Sequence, residues 1–216
     1  MKSWLIVAGV IQCCVLLFYW FYRTQTAWVE SAPYQRSVEQ PAQTLVVVYS
    51  RTGNTLGVAK EVASYFDADL LTIDAPLYTR DYKGQRLAER HADDEVIKTP
   101  ITHDLIDISQ YDLVFLCSPT WWYRPAVPLW SFVENHDFAG KAIFLVMTGN
   151  SRVKEGYIAK FATLVEKQNG KFLGMHFLQR GRVYWQKEPS ALEEEALAAL
   201  RERNKIWPVD VGSERE

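Results

Sequence analysis

The chain has 216 residues, 48% of them hydrophobic and 23% charged, with a net charge of −2 and a pI near 6.1. That length suits one domain plus an appendage, and the composition is that of a globular protein rather than a disordered one. The near-neutral balance offers no basic field for a nucleic acid, and three cysteines, two of them the adjacent Cys13 and Cys14, make neither a disulfide framework nor a metal spacing.

Residues Trp4 to Tyr22 run for nineteen positions with no charge and a single amide, Gln12. That is enough for a helix to cross a bilayer core. Trp4 at one end, and Tyr19, Trp20 and Tyr22 at the other, match interfacial aromatic belts. A cleaved signal peptide has a shorter core ending in small residues, whereas this segment ends in bulky aromatics, so an uncleaved single-pass anchor is expected over 1–23. Lys2 stands against Arg23 and Arg36, so the positive-inside count is nearly tied. Residues 24–43 hold two prolines and no periodicity, and read as a tether between membrane and a domain over 44–207; residues 208–216 read as a flexible tail.

From residue 44 strand and helix patterns alternate. Strands are expected at 44–49, 69–73, 112–117, 142–148 and 171–179, and helices at 54–66, 126–135, 155–168 and 190–205. Between them, 74–100 is irregular and charged, with a helix-like middle from Leu87 to Lys98. The strands are continuously apolar, as when both sheet faces are covered, so the class is α/β, a doubly wound five-stranded parallel sheet preceded by one transmembrane helix. Ligands of such sheets bind beyond the carboxyl ends of the strands.

Three loops fall there. The first, Ser50, Arg51, Thr52, Gly53, Asn54 and Thr55, joins an apolar strand to a helix start. Open N–H groups of a first helical turn, the helix dipole and three hydroxyls make a seat for a phosphate. The loop has neither the G-x-x-x-x-G-K-[ST] nor the G-x-G-x-x-G pattern. The second loop, Ser118, Pro119, Thr120, Trp121, Trp122, Tyr123, Arg124 and Pro125, puts three consecutive aromatics at a strand end, where a flat ring needs faces against it. At least one of them is expected to be structural. The third loop, Thr148, Gly149, Asn150, Ser151 and Arg152, offers N–H groups and small hydroxyls to a ring edge.

Together the loops resemble those of the flavodoxin family, over about residues 44–180. The resemblance implies strand order 2-1-3-4-5 and non-covalent FMN held by Ser50–Thr55, Pro119–Tyr123 and Thr148–Ser151. It also implies electron-transfer chemistry, with a redox partner or a small-molecule electron acceptor. The stretch from Tyr111 to Pro128 followed by Phe138 to Ser151 is closest to the flavodoxin-like reductases. Arg51 departs from the family pattern and either pairs with the phosphate or points to solvent. The acidic surface of soluble flavodoxins is missing too.

His91, His103, His136 and His176 are scattered with no metal spacing, and Cys117 reads as a small core residue. Arg180, Arg182, Tyr184 and Trp185 either line a substrate entrance or pack over the cofactor edge. No side chain stands out as an acid or base. The expected function is a membrane-anchored FMN protein that takes hydride from NAD(P)H and reduces a quinone or similar acceptor, its domain on the cytoplasmic side with the reductants. A pure electron carrier and a flavin-free interaction module are the alternatives.

Overall fold

Six successive buried residues, Thr44–Tyr49 (β1), form an inner strand of the sheet, and the lack of polar alternation is what a strand covered on both faces requires. The computed structural model describes residues 2–38, 40–182, 184–203 and 207–208. It pairs β1 with Asp69–Ile73 (β2) on one side and with Leu113–Trp121 (β3) on the other; Ala142–Gly149 (β4) and Lys171–Gln179 (β5) follow. All these pairings are parallel and the order is β2-β1-β3-β4-β5, the expected architecture.

Six α-helices accompany the sheet among the described residues: Lys2–Thr26 (α1), Asn54–Phe66 (α2), Tyr82–Asp93 (α3), Val127–Glu134 (α4), Glu155–Lys167 (α5) and Pro189–Glu202 (α6). Alternate β1 residues sort the core. Leu45, Val47 and Tyr49 join α4 and α5 through Leu129, Phe132 and Phe161, while Val46 and Val48 join α2 and α6 through Val58, Val62, Leu192 and Leu200. On the second face Trp207 fills the middle of an aromatic nest, 5.7, 5.3 and 5.0 Å from the rings of Phe66, Phe115 and Phe144.

α1 stands outside this core. Its 25 residues span about 37 Å at 1.5 Å per residue. It is long and apolar enough to cross a membrane, and none of its apolar stretch is buried; a signal sequence has the same length and composition. Its last turns nonetheless touch the domain. Tyr22 donates to the Arg80 carbonyl (3.3 Å) and its ring meets Tyr82 edge-on at 6.4 Å.

The structure departs from the expected pattern in three places. The segment after α1 is no free tether. Its Val29 N–H pairs with the Thr52 carbonyl (2.9 Å), Ser31 and Ala32 accept from Lys60, Tyr34 donates to Ala68 (2.6 Å), and Arg36 reaches Asp67 and Asp69. The segment is a strap laid along α2. The helix in 74–100 begins at Tyr82, five residues before the expected Leu87, because the Asp81 carboxylate caps it by accepting from Gly84 N–H (2.8 Å), and Glu95 at φ 53° closes the far end. β3 runs four residues past Cys117 to Trp121, and there Arg124–Pro125 folds back antiparallel onto its end. The last two residues of the expected 190–205 helix, and the expected tail beyond Pro208, lie outside the described residues.

Candidate functional site

The turn from β1 into α2 pivots on Gly53, whose φ of 88° suits a residue without Cβ. A Cβ there would meet the Val29 carbonyl oxygen of the strap at 2.0 Å. Gly53 N–H donates to Ser50 Oγ (3.1 Å), and no side chain caps α2. The N–H groups of its first turn are therefore open at the positive end of the helix dipole. Thr52 Oγ1 accepts from Asn54 Nδ2 (3.2 Å) and keeps its own proton for a ligand.

Thr148, at the end of β4, clips the three loops together. Its hydroxyl pairs with Thr55 Oγ1 at 2.9 Å, both side chains being buried, and its carbonyl accepts from Thr120 Oγ1 at 2.7 Å. The Thr120 proton and one of the Thr55 and Thr148 protons are thus committed, so anion binding here draws mainly on backbone N–H groups and on hydroxyls that only accept within the chain, such as Thr52.

The second loop is a β-hairpin with Trp122 and Tyr123 at its tip, both left-handed at φ 47° and 67°. Two-residue hairpin tips with positive φ ordinarily hold Asn-Gly; two bulky aromatics there are strained. Trp121 is the structural member, edge-on to Tyr49 at 5.5 Å and Tyr78 at 4.9 Å. Trp122 stays 49% exposed, and Tyr123 lies under the cations of Arg152 and Lys154, 5.4 and 5.0 Å from its centroid. The hairpin is fastened from beneath by Arg124, a fully buried cation stacked on Trp130 at 4.6 Å. Its two terminal nitrogens donate to the Ala92 and Val96 carbonyls, both at 3.3 Å, where the α3 dipole ends negative.

These loops surround a cavity of about 300 Å³. Arg51, Arg152 and Arg180 line it, and no carboxylate does so among the described residues, so it favours an anion. A second chamber of about 310 Å³ shares Arg51, Trp121, Trp122 and Asn150 and extends to Gln85, Ala88 and Glu89 of α3. Arg51 neither pairs with the phosphate seat nor points to solvent. It lies along the wall, donating to the Thr79 and Arg80 carbonyls at 3.4 and 3.5 Å, and burial lowers its pKa.

Of the residues picked from the sequence, Arg51, Thr52, Asn54, Thr55, Pro119–Tyr123 and Thr148–Ser151 line the first cavity, while Ser50 and Gly53 shape the turn behind it. Arg180 reaches the wall; Arg182, Tyr184 and Trp185 do not. Arg152 was visible as the end of the third loop. Gln25, from the last turn of α1, was missed, and nothing in a helix-to-linker junction marks it. Cys117 lies fully buried, its thiol pushed up by that burial and so inert.

Comparison with known proteins follows the same lines. Residues 43–185 match the family model described as Flavodoxin. No curated protein matches the chain. Among solved structures, the flavoprotein in complex with FMN from Lactobacillus acidophilus is 22% identical, with a TM-score of 0.56 over 63% of this chain and 93% of its own. A candidate flavoprotein from Bacteroides uniformis is also 22% identical at a TM-score of 0.56, over 72% of this chain and 98% of its own. A family match over most of the chain, together with the parallel sheet and its three ligand loops, places this protein in the flavodoxin family.

Proposed function

We propose that this protein is a membrane-anchored FMN flavoprotein that transfers electrons, and that its reaction is the NAD(P)H-dependent reduction of a quinone or a similar small acceptor. The observation that carries the proposal is a carboxylate-free cavity that joins the uncapped start of α2 to an aromatic hairpin tip. FMN supplies a ring that accepts and passes on one or two electrons. The protein's part is to bind, orient and tune.

The first-turn N–H groups of α2 and the Thr52 hydroxyl hold the phosphate as charge-assisted donors. Trp122 and Tyr123, fixed by their turn, present aromatic faces. Arg51, Arg152 and Arg180 stabilise negative charge on whatever the cavity holds. The adjoining chamber gives a small acceptor room beside the first cavity, and this favours an enzyme over a pure carrier. With α1 as anchor, lipid-soluble acceptors come within reach, and a cytoplasmic domain meets the reductant.

The full chain, purified in detergent, is expected to give a flavin visible spectrum with altered band shape on adding FMN, and then to oxidise NAD(P)H when a quinone is present. A colourless protein that leaves FMN fluorescence unquenched overturns the cofactor assignment. Flavin binding without NAD(P)H oxidation leaves a carrier between protein partners.

A further inference from the structure

The anchor helix reaches into the site. Gln25, in the last turn of α1, borders both the cavity and the adjoining chamber. Its Oε1 accepts from Asn150 Nδ2 of the third loop at 3.2 Å, across 125 residues of sequence. Its Nε2 is buried and has no acceptor among the described residues. A buried amide donor left unsatisfied costs free energy, so the position is stable in proportion to what it finds in the cavity. An open donor on the wall of the first cavity suits a heteroaromatic ring edge that carries a carbonyl. Four residues further on, Val29 seats the same segment on the phosphate loop through its bond to Thr52.

We infer that Gln25 is a ligand of the bound flavin, donating a hydrogen bond from Nε2, so that the membrane-proximal segment is part of the cofactor site. The inference rests on the FMN assignment above. It makes cofactor retention depend on a residue of the anchor helix, outside the stretch matched by the family model.

The test uses full-length apoprotein in nanodiscs, titrated with FMN and followed by flavin fluorescence and by the visible band. Gln25→Glu keeps the shape of the side chain and the oxygen that Asn150 needs, but puts an acceptor where the donor was. Gln25→Ala removes both. The expected result is about a ten-fold rise in Kd for Gln25→Ala, a larger rise for Gln25→Glu, and a shifted visible band in both, with unchanged thermal unfolding of the apoproteins. Wild-type affinity and spectrum in Gln25→Glu overturn the inference, whether Gln25→Ala binds normally or weakly; the weak case assigns Gln25 only a packing role through Asn150. If the wild-type chain itself fails to bind FMN, the cofactor assignment falls first and takes this inference with it.

Discussion

Trp122 and Tyr123 hold left-handed backbone conformations that cost roughly 1 kcal/mol or more for each side chain with a Cβ. Trp122 is half exposed, so packing within the chain repays little of that cost. Strain kept at a ligand loop implies a trade between stability and binding. Trp122→Asn, which tolerates this conformation, is expected to raise apoprotein stability by about 1 kcal/mol in urea unfolding while weakening FMN binding several-fold in a titration. Gly53→Ala goes the other way. With φ at 88° and a strap carbonyl 2.0 Å from the new Cβ, it is expected to cost about 2 kcal/mol or more, read as a lowered urea midpoint, and to displace the strap from the loop.

At the scale of elements, Arg124 joins the hairpin to the end of α3 and to the ring of Trp130. Arg124→Ala removes two hydrogen bonds and the stacking on Trp130 and leaves a cavity beneath the loop, and a loss of about 3 kcal/mol is expected from denaturant unfolding. Loosening of the Trp122 tip should follow, seen as faster amide exchange over 119–126. The sequence showed the three inner strands clearly because their continuous apolar runs leave few alternatives, and the three loops followed from where those runs stop. The hairpin was hidden by its own tip, since Trp-Tyr gives none of the Asn-Gly signal that marks such a turn. α3 was placed late because its apolar stripe is sparse and its true start is set by one carboxylate, Asp81. The strap was invisible for a related reason. It docks through single anchors such as Tyr34, Arg36 and Val29, and not through a periodic apolar face.

Across the whole molecule, two half-buried histidines govern how stability responds to pH. His136 stacks on Phe132 at 4.1 Å beside His103, and its Nδ1–H donates to the Phe132 carbonyl. His176 packs between β5 and α6, with Arg203, Glu195 and Glu202 around it. Burial holds both below the ordinary value of 6.5. Between those lowered values and 6.5 the unfolded chain binds more protons than the folded one. Their contribution is therefore complete above 6.5 and lost as pH falls. The urea midpoint is expected to be lower at pH 5.5 than at pH 7.5, and His176→Gln should narrow the gap. Tyr34, pushed up to about 12 by burial and by the nearby Asp67, stays protonated throughout and keeps the strap fastened.

That fastening sets how the protein meets its surroundings. If α1 spans a membrane as proposed, a domain on a loose leash would sweep a hemisphere and sample the water above it, whereas one strapped to the end of that helix would stay near one height over the lipid headgroups. Held so, the search for the lipid-dissolved acceptor proposed above would become two-dimensional, governed by lateral diffusion and by the match between α1 and the lipid thickness. Turnover should then respond to bilayer composition in a way that lengthening a flexible leash would erase.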